Sequence, residues 1–488
     1  MNSSLLKMSF FALLPFSLFS CKEQSRDESG DNTEKPNVLI LFADDLGYTD
    51  INCYGGIPNT PNIDSLAHNG IQFTDCYAAA PNCSPSRAGI LTGRHPSRTG
   101  IYSYIPGGRD HPMHLPDEEV TLAELMKEQG YQTAHFGKWH LGCLEGTSQC
   151  EQPQPSDQGF DYSLATENNA EPSHHNPVNF VRNGKALDTL EGYSCQLVVD
   201  EAKTWLNNHY KADQPFFMYT CFHEVHKKVA SPPELVSKYN EYSKNDAEYY
   251  ANVENMDRAI GRLINILRRK GELENTLIFF TSDNGSYHQG SQKGLRGYKG
   301  EVYDGGIKVP GIVYWPKKIQ ESRKVEEPVW GPDILPTVCD IVDISLPNRT
   351  IDGVSLEPLL NNEDFNREKP MLWYFYRSNP EAAMRIGDYS LMGYTKDSVP
   401  RTHYFAQRDM AFIKNSKFKS FELYNLDKDP GQKHDLADTR PEKLDSMKNV
   451  FRKTIQDVIE EGPYWEDMPE YDPERARLKW MYERHREN

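Results

Sequence analysis

At 488 residues the chain is long enough for one large α/β body with a smaller appendage, and 54 basic against 71 acidic residues give it a formal charge of −17. That balance excludes nucleic acid as the general partner, and an anionic ligand would need a local cluster of cations and a metal. Beyond residue 20 no apolar run is long enough to span a membrane.

In chain order, Lys7 precedes an apolar run, Met8 to Phe19, of the length of a signal-peptide core. The run ends Leu18-Phe19-Ser20-Cys21, similar to a bacterial lipoprotein cleavage box with Cys21 lipidated; a plain signal peptide is the alternative. Residues 1–20 are therefore expected to be a signal peptide and 21–35 a flexible polar tether. The protein would be exported, as a periplasmic or membrane-anchored lipoprotein of a Gram-negative bacterium that meets the membrane only through Cys21.

A catalytic domain is expected over 36–364. Val38 to Phe42 reads as a fully buried parallel strand that stops at Asp44 and Asp45. A short helix follows over Ile63 to His68, ended by Gly70. In Cys83-Ser84-Pro85-Ser86-Arg87, Pro85 predicts a turn just after the cysteine, and Ala88 to Thr92 can start a helix whose amides favour an anion. Thr121 and Glu124 form a capping box. The strand Tyr131 to Phe136 runs into Gly137-Lys138-Trp139-His140, and residues 141–195 read as a long functional loop region. Within it, Cys143 and Cys150 are close enough to pair or can equally stay free. Phe216 to Phe222 is a third strand, followed by His223 and His226. The clearest helix lies between 247 and 270. Leu277 to Phe280 is a fourth strand, ending at Asp283-Asn284-Gly285, and Ile307 to Tyr314 a fifth.

The polar clusters share one position, just beyond the carboxyl end of an apolar run, where open α/β sheets bind ligands. Parallel neighbouring strands would gather Asp44, Asp45, Lys138, His140, His226, Asp283 and Asn284 into one crevice. Asp44, Asp45, Asp283 and Asn284 offer oxygen only, which suits Ca2+ (Mg2+ less well) and suits zinc poorly. Residues 365–488 change texture: short strands at Met371 to Tyr376, Tyr389 to Met392 and Phe421 to Tyr424 and a helix over Glu442 to Ile459 predict a small antiparallel C-terminal subdomain, and 463–488 are an ordered wrap or a tail.

The stretch Cys83-x-Pro85-Ser86-Arg87 with Ile90-Leu91-Thr92-Gly93 resembles the first signature of the type I, formylglycine-dependent sulfatases, and Gly130 to His140 resembles their second. His226 with Lys227-Lys228, the Leu295 to Gly306 loop, and Phe421 to Pro430 resemble further family segments in the same order. The resemblance implies an alkaline-phosphatase-like α/β fold. It also implies a sulfuric ester hydrolase that uses one calcium, held by Asp44, Asp45, Asp283, Asn284 and residue 83, and a formylglycine made from Cys83 by a maturation enzyme. In the implied mechanism a formylglycine hydroxyl attacks sulfur, His226 and Lys299 assist the leaving alcohol, and His140 is the base that releases sulfate. Lys138 and Lys299 contact the sulfate, and Arg87 holds the hydrate and the charge at the metal. Trp139, His174, His175, Arg296 and Tyr298 are the candidates for meeting a sulfated glycan or glycosaminoglycan sugar. Two other readings stand beside this one: a phosphomonoester or phosphonate hydrolase on the same core, and a lipid-anchored glycan-binding protein whose catalytic site has decayed.

Overall fold

The structure is a computed structural model and describes residues 35–106, 111–147, 150–288, 290–395 and 405–466. The expected leader, all but the last residue of the tether, and the chain after 466 lie outside the described residues. The strands that carry the site follow from buried apolar runs. Asn37–Ala43 (β1) is buried at all seven positions, as a strand flanked by layers on both faces must be. In chain order it is followed by β2 (Ile71–Phe73), β3 (Cys76–Tyr77), β4 (Gln132–Lys138), β5 (Tyr162–Thr166), β6 (Val181–Arg182), β7 (Lys185–Ala186) and β8 (Phe216–Cys221). Then come β9 (Thr276–Ser282), β10 (Gly311–Tyr314), β11 (Arg323–Val325) and β12 (Val329–Trp330).

Ten of these form one sheet in the order β11-β2-β10-β9-β1-β8-β4-β5-β6-β7. Its centre, β9-β1-β8-β4-β5, is parallel throughout, and β10 joins antiparallel to β9. The register sets Phe42 beside Cys221 and Thr281, and Gly137 beside Cys221. The ends of β1, β4, β8 and β9 therefore reach one edge together. Gly137 is required for this: its φ is +103°, and a Cβ there would stand 1.8 Å from the Cys221 carbonyl oxygen.

Helices α1 (Pro61–His68), α2 (Cys83–Thr92), α3 (Leu122–Glu128), α4 (Ser194–Asn208), α5 (Pro233–Val236) and α6 (Lys244–Lys270) pack around the sheet. The capping box on α3 is present: Glu124 N–H donates to Thr121 Oγ1, and Thr121 N–H to Glu124 Oε2. Four antiparallel strands, β13 (Met371–Tyr374), β14 (Ala382–Ile386), β15 (Tyr389–Tyr394) and β16 (Ser420–Asn425), form the C-terminal sheet, with the helix Pro441–Glu461 beside it. Ile90 and Leu91 of α2 share one apolar cluster with Leu391, Leu423 and Phe451, so the small sheet is packed into the same core.

The structure departs from expectation in several places. Residues 141–195 are not all loop, since β5 adds a fifth parallel strand and two short strands follow it. Ile307 ends a one-turn helix, and the strand after it begins at Gly311. Of the two states left open for Cys143 and Cys150, the structure has the disulfide.

The core also buries imidazoles. Burial pushes His95, His111 and His135 each down to about 3 from the ordinary 6.5. A histidine whose folded pKa is depressed stabilises the fold above 6.5, and that stability is lost as pH falls toward 3, because the unfolded chain takes up the proton first. Each such group adds a slope of about 1.4 kcal/mol per pH unit within that window. The thermal midpoint is expected to fall steeply below pH 6.5. His135→Phe, placed among the rings of Trp139, Phe160 and Tyr219, should flatten the slope.

Candidate active site

Cys83 is the first residue of α2, whose ten residues are all buried. Asn82 caps the helix: its Oδ1 accepts from the Cys83 N–H at 2.8 Å and from the thiol at 3.3 Å. The turn predicted by Pro85 is thus the first turn of the helix itself, where a missing N–H costs nothing because that amide has no carbonyl to bond. One turn on, Arg87 lies wholly buried. It donates from Nη2 to Asp283 Oδ2 at 2.7 Å and from Nη1 to the Lys138 carbonyl at 3.0 Å, with Asp44 Oδ1 at 3.8 Å.

The turns beyond β1 and β9 supply the acids. Lys138 Nζ donates to Asp44 Oδ2 at 2.8 Å, and Lys299 Nζ to Asp45 at 2.8 Å. Asp45 has a φ of 61° and His140 one of 59°, left-handed conformations that cost non-glycine residues energy and must be held by their surroundings. For Asp45 the hold is visible: its N–H donates to Asp283 Oδ1 and its Oδ1 accepts from Asn284 Nδ2. His226 Nε2 stands 3.6 Å from Asp45 Oδ2. His140 Nε2 donates to the Ile105 carbonyl at 2.6 Å, so its Nδ1, which has no partner among the described residues, carries the lone pair.

The electrostatics follow from burial. Burial and the neighbouring Asp44 carboxylate push Asp283 up to about 6. Burial would raise Asp45 too, but Lys299 and His226 hold it below the usual carboxylate value. Burial raises the Cys83 thiol, which leaves it protonated and a poor nucleophile as cysteine. Burial, with Lys138 and Arg87 beside it, holds His140 well below its ordinary value, so it is neutral at physiological pH.

The residues fit a divalent cation. One ligand atom each from Asp44, Cys83 and Asp283 lies within 4.8 Å of the others. Asp44 Oδ1 and Asn284 Oδ1 are buried and accept no hydrogen bond among the described residues, a costly state that a cation would relieve. Three carboxylates already face three cations here, so a hard divalent ion would leave the pocket positive enough for a sulfate ester.

Behind this site lies a brace that sequence reasoning missed. Buried Asp50 accepts from Gly47 N–H at 2.7 Å and from the Tyr249 hydroxyl at 2.6 Å, and that hydroxyl lies 2.9 Å from Ser286 Oγ. Ser286 in turn accepts the Lys299 N–H on its carbonyl at 3.1 Å. Helix α6 thereby ties both acid-bearing turns to the Lys299 loop. Tyr249→Phe is expected to lower kcat on an aryl sulfate about tenfold with little change in KM, since it loosens geometry and removes no charge.

Residues 36–344 match the Sulfatase family, and residues 298–461 match the C-terminal region of N-sulphoglucosamine sulphohydrolase. The chain belongs to the sulfatase family.

It is 33% identical to human arylsulfatase A over 478 residues, covering 88% of this chain and 90% of that one. It is 31% identical to the ulvan-active sulfatase of Formosa agariphila over 383 residues, covering 74% and 72%. The solved structure of Ps i-CgsB in complex with k-i-k-neocarrahexaose superposes with a TM-score of 0.76 at 24% identity, covering 92% and 97%. In this sulfatase the residues expected to meet sugar divide sharply. Trp139 is wholly buried, its ring edge-on to His135 and Phe160, so it offers no face to a ligand. His174 is equally buried, 3.8 Å from Glu224. Arg296 is exposed and also engaged by the C-terminal sheet, donating to the Tyr424 hydroxyl and stacking 3.9 Å over Tyr303. His175 and Tyr298 remain exposed. His223 Nε2 is turned to Thr166 Oγ1 at 2.8 Å, away from the carboxylates that His226 approaches.

Proposed function

We propose that this sulfatase removes sulfate from a sulfated glycan, using a formylglycine made from Cys83 and one calcium. The observation that carries the reading is the convergence of Asp44, Cys83 and Asp283 within 4.8 Å, with Arg87, Lys138, Lys299 and His226 all held on those turns' carboxylates. The glycan assignment draws on the ulvan-active relative and on the carbohydrate complex of the structural neighbour. We also propose that the protein is exported and anchored through Cys21, on the leader-like start of the sequence.

Calcium on Asp44, Asp45, Asp283 and Asn284 would supply positive charge to the sulfate oxygens. Residue 83 as formylglycine would supply a hydrate, one hydroxyl to attack sulfur and one to release the product. The remaining work belongs to the chain. Lys138 and Lys299 each hold a carboxylate and can share their remaining N–H donors with sulfate oxygens. Arg87, permanently charged and fixed by Asp283, offsets the negative charge that Asp283 and Asp44 gather beside residue 83. Lys299, which carries the proton, and His226 beside it assist the departing sugar alcohol, and His140 takes a proton at Nδ1 when sulfate is released.

The test is substrate preference. Protein made with a formylglycine-generating enzyme should hydrolyse an aryl sulfate faster than the matching aryl phosphate, and should release sulfate from one or more sulfated oligosaccharides with a higher kcat/KM than from the aryl ester. Preferential turnover of the phosphate would restore the phosphohydrolase reading. Failure on every oligosaccharide would remove the glycan.

A further inference from the structure

Beside the reacting centre the structure has an unassigned cavity of about 550 Å³, lined by Tyr287, Gln292, Lys293, Leu295 and Tyr298 with three glycines between them. A volume of this size holds a small ligand rather than a solvent pit. Its position is fixed by two contacts. Tyr298 directly precedes Lys299, and the Tyr287 ring lies 6.5 Å from that of His226 while its hydroxyl donates to the Val225 carbonyl. The cavity therefore opens on the side of the two residues that serve the leaving group.

Its lining is aromatic and basic. Tyr298 is 57% exposed, an uncovered ring on which the apolar face of a pyranose can lie. Lys293 is exposed and makes no ion pair or hydrogen bond among the described residues, and Lys227 Nζ stands 4.7 Å over the Tyr287 ring, also without a carboxylate. By contrast Lys228, the next residue, reaches Glu171 at 3.9 Å. No carboxylate lines the cavity among the described residues. In a chain with 71 acidic and 54 basic residues, an uncompensated lysine in the lining, with a second over the ring of the lining residue Tyr287, is a local reversal of sign. Lys293 also holds a φ of 39°, a conformation unfavourable to a side-chain-bearing residue.

We infer that this cavity is a glycan subsite that accepts a second anionic substituent, sulfate or carboxylate, on Lys293, with Lys227 flanking it. The natural substrate is then a polyanionic saccharide whose scissile sulfate sits at residue 83 and whose second charge lies in the cavity. This inference rests on the glycan reading above and makes it narrower.

The test uses three oligosaccharides that share the scissile sulfate and carry sulfate, carboxylate or a neutral hydroxyl at the second position, with an aryl sulfate alongside. The wild type is expected to favour one or both charged members over the neutral one by about tenfold in kcat/KM, and raised salt should shrink that ratio. Lys293→Gln should reduce the ratio to about twofold, and Lys293→Glu should invert it. Ratios within one preparation cancel differences in formylglycine content and folded fraction. The charged member that wins identifies the group. Equal turnover of all three by the wild type, or a preference that survives both substitutions, overturns the subsite while leaving the sulfatase reading intact. Turnover of the aryl sulfate with none of the three hydrolysed overturns the glycan reading and the subsite with it.

Discussion

Cys83→Ala is expected to lower sulfate-ester turnover by about four to six orders of magnitude, the scale seen when a covalent nucleophile is removed, with the thermal midpoint nearly unchanged. The side chain contributes little to the fold: its polar contact is a 3.3 Å thiol bond to Asn82, whose cap on the Cys83 N–H survives the change. Everything else in the pocket would remain in place, including Arg87 on Asp283 and Lys138 on Asp44. Loss of activity without loss of stability, read from initial rates and a thermal melt of the same sample, separates chemistry from folding. Cys83→Ser should behave alike, since an alcohol at this position has no second hydroxyl with which to expel sulfate.

Asp283→Ala is expected to cost both. Arg87 has no exposed atoms, and its 2.7 Å partner would vanish, leaving Asp44 at 3.8 Å as its nearest carboxylate. Stranding one member of a buried ion pair costs about 3–5 kcal/mol, and the Asp45 N–H would lose its acceptor at 3.0 Å as well. The denaturant midpoint should fall accordingly, and activity by about a thousandfold or more, because a cation ligand and the position of Asp45 are lost together. Asp283→Asn keeps an oxygen for the Asp45 amide and should recover part of the stability and little of the activity. Metal removal by chelation should reproduce the activity loss with a smaller change in stability, since Arg87 keeps its partner.

Much of this site could be read from the sequence because fully buried parallel strands announce themselves as apolar runs. Val38 to Phe42, Phe216 to Phe222 and Leu277 to Phe280 each stop at the polar residues that meet at one sheet edge. The runs that were missed lack that signature. Strand β5, Tyr-Ser-Leu-Ala-Thr, mixes polar and apolar positions, and β14 carries Arg385. Trp139 misled for a different reason: it follows Lys138 at the end of β4, and side chains alternate along a strand, so with Lys138 turned to the site the next residue enters the core. Nothing local marks Asp50 as the partner of Tyr249, because the two are 199 residues apart. The bond of Arg296 to the Tyr424 hydroxyl is likewise invisible until the C-terminal sheet is folded beside it.

The measurement that bears most directly on the account is mass spectrometry of the peptide containing residue 83, taken from a preparation shown to release sulfate from an aryl ester. The account predicts that the thiol is gone and an aldehyde stands in its place in the active fraction. An active preparation in which residue 83 is entirely unmodified cysteine would contradict it.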